Sequence, residues 1–451
     1  MRLVSIALDS IDNLHYGCTT HFSTILLKNL SRKIRLADLP LLVRLNPAIP
    51  WKTRGNGAVV LRILYEGDIR ELLETVYNLA LEYSSGKEDV GIVVYEGEPW
   101  SVRELRWLYY RTLTNVITRD VVLRILGKLG GLHAGRRGVI GAAASLAALG
   151  PKDDFTFELL AYRNPDLWGS ERCVDIPKVL ELEALMPPCT FYNLSLLTGE
   201  LLATPGGTDP VLAGFRGDCI TPLFDYSRAL CEKPDAWLLF RSNQHTDPHD
   251  LELEELSYYT SGSLEAIVEN RPNIIEGGHV IVRVSSELGE ADLVFYRETG
   301  SLNRIARLLE PGDRIRVLGS TRPYKPRGVP VIAVEKLWVL SVERKYVVVN
   351  PRCPKCGSRM KSSGSNKGFK CDSCGYRILS ASKINLEIER TLAPGEYVTE
   401  RFRHLTAPVG RRRFAGIQLP LNLDVEDILS LEANPKPSER LRELEFSLAK
   451  L

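Results

Sequence analysis

Four cysteines in the C-terminal third constrain this chain more tightly than any other feature. Cys353-Pro-Lys-Cys356 and Cys371-Asp-Ser-Cys374 stand fourteen residues apart, a C-x2-C-x14-C-x2-C pattern just under the usual zinc-ribbon loop length. Each C-x-x-C turn directs two thiolates to one side, and two such turns complete a tetrahedral four-sulfur shell for Zn2+. Four protein ligands leave no open coordination position, so the expected ion is structural. The other five cysteines (Cys18, Cys173, Cys189, Cys219 and Cys231) are scattered, and they are expected as reduced core or surface thiols.

The cysteine segment is also basic. From Arg344 to Lys383 there are ten Lys/Arg and one acid, Asp372, so a formal net charge of +2 for 451 residues conceals a segment near +9 and a remainder near −7. Zinc with four thiolates brings the segment to about +7. Its loop KSSGSNKGFK presents Lys361, Lys367 and Lys370 with Phe369, a basic tip with one aromatic that suits a nucleic-acid backbone. The competing reading is a solvated loop whose Phe369 packs on the ribbon.

A chain of this length predicts about three domains, and four if some are small. Residues 1–130 alternate strands (RLVSIAL, LPLLVRLN, GNGAVVLRILY) with helices, the clearest being IRELLETVYNLALEYS, which predicts an α/β domain. Residues 131–262 mix a small-residue helix with strand-like VLAGFRG and AWLLFRSN, a compact α+β pattern. Between 270 and 345 the runs HVIVRVSS, ADLVFYRE, DRIRVLGS and VPVIAVEKLWVLSV, interrupted by one helical segment, predict a small barrel of the OB type. The ribbon occupies 349–380. Residues 381–451 read as a helical extension ending in a polar tail from Lys436. The fold class is therefore multidomain α+β. The longest apolar run, Val139 to Leu149, is too short for a membrane span, and no leader is evident, so a cytoplasmic location without membrane contact is expected.

At the N-terminus, Asp9 closes the first strand and Asp12 follows in the loop that leads to Gly17-Cys18-Thr19-Thr20 and a helix. Ligands gather at the carboxyl ends of strands in open α/β sheets, and the free N–H groups of a helix start favour an anion. Two carboxylates at one edge and a helix N-terminus at the other suit Mg2+ and a nucleotide phosphate. A plain turn followed by a threonine cap is the alternative. The stretch RLNPAIPWKTRGNGAVV adds Lys52, Thr53, Arg54, Gly55, Asn56 and Gly57, cations beside flexible glycines of the kind a triphosphate requires. No Walker A loop and no protein-kinase signature is present, so ATP chemistry here uses an uncommon fold.

Together these stretches resemble the archaeal agmatinylcytidine synthetases, the family that modifies isoleucine tRNA at its wobble cytidine. The resemblance rests on the acid-bearing strand end before Cys18-Thr19-Thr20, on RLNPAIPWKTRGNGAV, DFTFELLAYR (Asp154 to Arg163), PVLAGFRG (Pro210 to Gly217), SNQHTDPH (Ser242 to His249) and IEGGHV (Ile275 to Val280), and on the basic ribbon. It implies a kinase-like domain, a ferredoxin-like domain, an OB fold and the ribbon. It implies ATP-dependent phosphorylation of the cytosine C2 oxygen, displacement of phosphate by the amine of agmatine, and breakdown of ATP to AMP and two phosphates. Thr19 matches the family's autophosphorylated threonine, and Asp9 and Asp12 match two of its acids. Here the run is Asp-Ser-Ile-Asp, with Ser10 and Ile11 where the family has an acid and a threonine.

On the same resemblance, the partners are agmatine and an isoleucine tRNA with a CAU anticodon, with no obligate protein partner evident. The OB fold and ribbon would hold the acceptor stem while the kinase-like domain takes the unstacked base. Arg216, Asp218, His245 and Asp247 are candidates for the agmatine cleft, Asp218 or Asp247 for its cation and His245 as a base; Arg411, Arg412 and Arg413 are candidates for phosphate contacts. Two other classes fit part of the chain: a non-catalytic OB/zinc-ribbon nucleic-acid-binding protein, which leaves the N-terminal acids unexplained, and an ATP-dependent nucleic-acid ligase, whose K-x-D-G motif is missing.

Overall fold

The computed structural model describes residues 1–12, 16–52, 55–85, 89–195, 198–323, 328–401, 403–411 and 416–449. The first part of the chain supplies strands β1 (Arg2–Asp9), β2 (Arg35–Leu36), β3 (Leu41–Arg44), β4 (Gly57–Tyr65), β5 (Gly91–Glu96) and β6 (Leu132–Gly135). With them go helices α1 (Thr19–Leu30), α2 (Ile69–Tyr83), α3 (Arg103–Thr114), α4 (Arg119–Leu129) and α5 (Val139–Ser145). α2 shows how locally these elements are specified. The Asp68 carboxylate accepts from the backbone N–H groups of Arg70 and Glu71, and Leu72, Val76 and Ala80 recur every four residues to form its buried stripe.

The next part contributes β7 (Thr156–Arg163), α6 (Ile176–Leu185), β8 (Val211–Gly217), α7 (Ile220–Asp225) and β9 (Pro234–Ser242). These strands do not form a sheet of their own. They continue the first one, in the order β6-β5-β1-β4-β3-β9-β7-β8, with β3 and β9 joined in parallel through Leu41–Arg241 and Leu42–Ser242. The other neighbours along this order are antiparallel, so β1 lies antiparallel to both β4 and β5. The strand-end rule for parallel sheets therefore does not locate Asp9, and its position has to be argued from its contacts. β6 and α5 belong with the first half of the sheet, α5 packing on β1, β4 and β5.

At the parallel joint sits a fully buried charge cluster. Arg62 of β4 donates to Asp38 at 2.8 Å and to the carbonyls of Leu149 (2.8 Å) and Ala148 (2.6 Å) just beyond α5, while Arg241 of β9 donates to the same Asp38 oxygen and to Leu149 at 2.6 Å. Burial holds the Arg62 guanidinium down to about 10, with Asp38 opposing. Two cations share one carboxylate and a row of helix-end carbonyls, whose partial negative charge supplies the balance.

The following strands, β10 (Ser261–Val268), β11 (Asn273–Ile274), β12 (Val280–Ser286), β13 (Gly289–Phe295), β14 (Arg314–Arg322) and β15 (Val331–Ser341), include a closed five-stranded barrel, β10-β14-β15-β13-β12 and back to β10. β13 and β15 pair in parallel, and α8 (Ser301–Ala306) lies between β13 and β14, as the OB arrangement requires. β10 lies ahead of the barrel start expected at residue 270. Its run SGSLEAIV opens on Gly and Ser and carries Glu265, so it reads as a loop until β12 and β14 are there to pair with it.

Beyond the barrel, β16 (Lys345–Val349) leads into the ribbon strands β17 (Lys361–Ser362), β18 (Phe369–Lys370) and β19 (Arg377–Ile378) and pairs with the returning β20 (Ile384–Ile388). β21 (Gly395–Val398) joins the barrel beside β15, and after α9 (Val425–Ile428) the short β22 (Leu429–Ser430) joins β9. The expected polar tail is instead helix α10 (Glu439–Ala449), with Leu441 and Leu448 buried and the Glu445 carboxylate accepting from Ile220 N at 2.7 Å and Thr221 N at 3.1 Å at the start of α7. The polar residues of the tail are the outer face of an amphipathic helix.

The expectation of reduced thiols is corrected at four of the five scattered cysteines. Cys173 pairs with Cys231 and Cys189 with Cys219, bridging separations of 58 and 30 residues. Closing loops of that length stabilises a fold by about 4 kcal/mol each in the chain-entropy model. Cys18 is buried and takes no part in a disulfide. No helix of the described residues is long and apolar enough to cross a membrane.

Replacing Asp38 by Asn would leave two buried guanidiniums without a counter-ion. The expected loss is about 3–5 kcal/mol, read as a fall in denaturant midpoint at unchanged slope. A loss under about 1 kcal/mol would show that the helix-end carbonyls alone carry the cluster.

Candidate active site

The N-terminal acids are set by a tight turn. Ser10 has φ 59°, its N–H donates to Asp9 Oδ1 at 2.6 Å, and the next amide, Ile11 N–H, donates to Thr19 Oγ1 at 3.1 Å. The acid loop is thereby tied to the first residue of α1. Cys18 precedes the helix in extended conformation with its N–H on the Tyr83 hydroxyl at 3.0 Å, and that hydroxyl also bonds His21 Nδ1 at 2.8 Å.

Asp12, Cys18, Thr19 and Thr20 face a cleft of about 900 Å3 together with Arg44 and Gly57. Its opposite wall comes from Glu158, Arg216 and the loop from Thr198 to Thr208, and its rim from Arg297 and Glu298 of the barrel with Glu400, Arg401 and His404. Asp9 faces another space, a pocket of about 100 Å3 shared with Lys52, Asn56, Thr112, Asn115 and Arg137. The Asp9 carboxylate lies against the first turn of α5, where a Cβ on Gly141 would collide with it. Burial pushes its pKa up to about 7; the Ser10 N–H opposes the shift and the charge of Asp12 adds to it. The two acids thus stand close enough to repel while opening toward neighbouring cavities.

A chain of hydrogen bonds orders the opposite wall. Arg216 Nε donates to Glu158 Oε1 at 3.0 Å, and the Gln244 amide donates to Glu158 Oε2. Gln244 therefore turns its carbonyl to His404, whose Nδ1 donates to it at 3.0 Å. This assigns the hydrogen to Nδ1 and leaves Nε2 as the acceptor nitrogen, directed at Gly55, where a Cβ would sit 2.6 Å away. Burial, with Arg44 and Arg216 nearby, holds the His404 pKa well below its ordinary value, so the ring is neutral at pH 7.

His404 reaches the cleft on a strap formed by residues 399–401 and 403–411. Thr399 N–H donates to Glu335 O and Glu400 N–H to Thr299 O on the barrel; farther along, His404 O and Leu405 O accept from His245 N and Asp247 N at the end of β9.

The other predicted residues separate into those the cleft or pocket uses and those the fold uses. Lys52 faces the Asp9 pocket, but its ammonium donates to the carbonyls of Pro47 (2.6 Å) and Ile49 (3.0 Å) of its own loop. Asn56 shares that pocket, Gly57 lines the cleft, and Gly55 lets His404 approach; Thr53 and Arg54 lie outside the described residues.

Arg216 lines the cleft. Asp218 does not: its carboxylate accepts from Arg411 at 2.8 and 3.0 Å, with burial pushing its pKa up to about 6 against that cation. Asp247 is occupied by Lys336 at 2.7 Å and Ala407 N at 2.8 Å, anchoring the barrel and the strap. His245 is fully buried, its Nδ1 donating to Thr406 O at 3.1 Å, and its ring packs on Tyr192 rather than facing the cleft. None of these three lines the cleft, their polar groups being held by Arg411, Lys336 and the Thr406 carbonyl, so the cation role expected of Asp218 or Asp247 and the base role expected of His245 are corrected. Arg411 is likewise not a phosphate contact: it is buried between Asp154, Asp218 and the Phe155 carbonyl. Arg412 and Arg413 lie outside the described residues.

Reading the sequence missed Arg44, Glu158 and His404. Arg44 opens the quoted RLNPAIPW stretch, and Glu158 is a lone acid inside the wholly buried strand TFELLAYR, which is itself a signal that it has a partner. His404 carried no signal, because what places it is a strap that crosses between distant parts of the chain.

In the ribbon, the sulfurs of Cys353, Cys356, Cys371 and Cys374 all lie within 4.8 Å of one another, with Cys353–Cys374 at 3.6 Å and Cys356–Cys371 at 3.4 Å. Four thiolates about a zinc at about 2.3 Å stand roughly 3.8 Å apart, so the donor set fits Zn2+. Phe369 is buried against Met360 in the small ribbon core, which corrects its reading as a stacking residue. Lys361, Lys367 and Lys370 are exposed, Lys361 paired with Asp372 at 2.7 Å.

Comparison with known proteins follows the same division. Residues 5–136 match the model of the TiaS TCKD domain, 136–249 that of the TiaS FLD domain, and 350–392 that of the TiaS C-terminal zinc ribbon domain. The isoleucine-tRNA 2-agmatinylcytidine synthetase TiaS of Acidilobus saccharovorans is 48% identical over 95% of this chain and 99% of its own. The chain belongs to the TiaS family. Among solved TiaS structures, the complex of TiaS with its isoleucine tRNA and ATP aligns with a TM-score of 0.79 and 30% identity over 93% of this chain and all of that one. The complex of TiaS with the same tRNA, AMPCPP and agmatine aligns with a TM-score of 0.76 and 28% identity over the same shares. The TiaS family accounts for a five-stranded barrel and a zinc ribbon in one chain.

The raised pKa makes Asp9 testable apart from any reaction. The folded chain holds its proton more tightly than the unfolded chain between 3.8 and about 7, so this group's contribution to stability falls as pH rises across that window. With divalent cations chelated, Asp9→Asn should raise the melting temperature by an amount that grows from pH 4 to 7 and is flat above; no pH-dependent difference would refute the burial argument. Stripping zinc should release one ion per chain and expose residues 350–378 to protease while the large sheet keeps its melting transition, because a core of four buried residues does not hold without metal.

Proposed function

We propose that this chain attaches agmatine to C2 of the wobble cytidine of the isoleucine tRNA with a CAU anticodon, in an ATP-dependent reaction. The observation that carries this reading is the meeting of Asp12 and the Cys18-Thr19-Thr20 helix start with Arg44, Arg216 and the barrel rim around one cleft. That cleft is large enough for a flipped base and a small amine together. The family supports the substrates: the solved TiaS complexes with isoleucine tRNA, ATP and agmatine align over nearly the whole chain.

In this reading the C2 oxygen of cytosine first takes a phosphoryl group from ATP, since a carbonyl oxygen cannot leave unaided. The agmatine nitrogen then bonds to C2, the C2–O bond breaks, phosphate departs with the oxygen, and the nitrogen gives up its proton. The residues that would hold Mg2+ are Asp9 and Asp12, adjacent carboxylates whose mutual repulsion a divalent cation would relieve; bound there it would neutralise phosphate charge. Ser10 and Ile11, which replace an acid and a threonine of the family run, leave Asp9 and Asp12 as the carboxylates this stretch offers to the ion.

Thr19, at the start of α1 on the cleft wall, is the autophosphorylated residue of this reading. Lys52 and the turn from Gly55 to Gly57 receive nucleotide phosphates, Arg44 and Arg216 counter the developing charge, and Glu200 on the cleft loop takes the guanidinium tail. Structural zinc holds the ribbon, whose exposed Lys361, Lys367 and Lys370 meet the acceptor stem together with the OB fold. Residues 1–130 serve as the kinase-like domain and 131–262 as the ferredoxin-like domain, and the protein works in the cytoplasm.

The deciding experiment incubates the zinc-loaded protein with ATP, agmatine and the isoleucine tRNA transcript and weighs the wobble nucleoside. The expected product is cytidine with agmatine attached and water lost, absent from a methionine tRNA bearing the same anticodon. Thr19→Ala should abolish transfer of labelled γ-phosphate to the protein and reduce product by at least a hundredfold. Unaltered cytidine with folded wild-type protein would sink the proposal and leave a non-catalytic RNA-binding protein.

A further inference from the structure

Helices α3 and α4 lie side by side with a groove of about 560 Å3 on their outer face, separate from both cavities described above. Its floor is Trp107, Val121 and Ile125, and its rim carries Arg103, Arg124 and Lys128 with one acid, Glu104. Trp107 is 49% exposed, although Leu105, Leu108 and Tyr109 on the same helix are buried, so the packing of α3 does not require an indole at this position. The indole joins Val121 and Ile125 in one apolar strip partly open to water, and it is such a contiguous strip, rather than a single exposed ring, that marks a contact surface.

The surroundings select the kind of occupant. From Gly97 to Arg137 the chain carries eight Lys/Arg against three acids, a second basic segment in the part of the protein that would otherwise have to be acidic to offset the ribbon. Arg106 and Arg111 spend their charge on Asp153 and Glu254, away from the groove. Lys128 pairs with Glu104 at 2.6 Å, which neutralises the groove's acid, and Arg124 Nε donates to the Asp120 carbonyl of its own helix at 3.3 Å. The rim therefore keeps a net positive charge from Arg103 and Arg124 on opposite helices. An aromatic face between cations is the platform on which single-stranded nucleic acid binds, the base stacking and the flanking phosphates meeting the cations.

The position suits a ligand that also reaches the active centre. The turn from Asn115 to Ile117, which joins α3 to α4, lines the Asp9 pocket, and Trp107 stands eight residues before it, about 12 Å along the helix. We propose that the α3/α4 groove is an RNA-contact surface that takes one unpaired nucleotide of the bound tRNA, its base on Trp107 and its phosphates on Arg103 and Arg124. The identity of the RNA rests on the function proposed above; the contact chemistry does not.

Binding of the isoleucine tRNA transcript, measured without ATP or agmatine from 50 to 200 mM salt, tests the surface independently of catalysis. Trp107→Ala should weaken binding by about 5- to 150-fold, the range for losing one stacked base, and Trp107→Phe should recover most of it. The double variant Arg103→Gln/Arg124→Gln should lower the salt slope by about 1 to 2. All variants should keep the wild-type melting temperature and the RNA-independent labelling by γ-phosphate, which shows that the fold and the centre are intact. Affinity and salt slope within twofold of wild type in both Trp107→Ala and the double variant would overturn the proposal. So would a loss of binding confined to an acidic polyglutamate probe, which would make the groove a peptide site. If wild type itself neither labels nor modifies tRNA, the functional reading fails while the RNA-binding comparison still stands or falls alone.

Discussion

Two arginines sharing one carboxylate where the two halves of the great sheet meet are what the remaining geometry hangs on. Arg62 belongs to the first half, Arg241 to the second, and Asp38 with the carbonyls after α5 accepts from both. Because all of these groups are sealed from water, no rearrangement can hydrate one of the charges, and the β3–β9 joint is confined to a single register. That register brings β9 and β7, with Glu158 and Arg216 beside them, opposite the acid loop and the start of α1. The cleft is in this sense a product of one buried ion cluster some distance from it.

Much of this architecture could be read along the chain, and what could be read has a common character. Periodicity located β1, β4, α2 and the later barrel strands because burying an amphipathic face is a local instruction. The zinc ribbon was legible for the same reason: two turns and a loop carry all four ligands. Asp12, Thr19 and Gly57, which line the cleft, could be singled out beforehand because each sits in a short motif whose neighbours already limit its conformation.

What escaped is long-range. Asp218, Asp247 and His245 look like ligands in isolation and prove to be the partners of Arg411, Lys336 and Thr406, residues 89 to 193 positions away. A buried carboxylate needs a cation somewhere, and sequence does not say whether that cation is its own arginine or a substrate. The two disulfides were missed similarly, since the distances of 5.3 and 5.1 Å between their Cα atoms exist only once β8, α7 and β9 are assembled. Phe369 shows the converse: with only four buried residues among those described, the ribbon core draws this aromatic inside beside Met360 while Tyr376 and Leu379 stay exposed.

The strap around His404 has a consequence for how the protein is made. It is synthesised after strands β1 to β9 of the sheet it completes, yet it supplies His404 to the cleft wall and engages Asp154, Asp218 and Asp247 in the middle of the molecule. Until the strap is made, Asp154 and Asp218 lack the Arg411 cation, Asp247 lacks the Ala407 N–H and Gln244 has no imidazole to orient, so the nascent sheet assembles around an unfinished centre. Competence then waits on a segment made after the motifs of the site, and a chain released before it carries those motifs without a closed site.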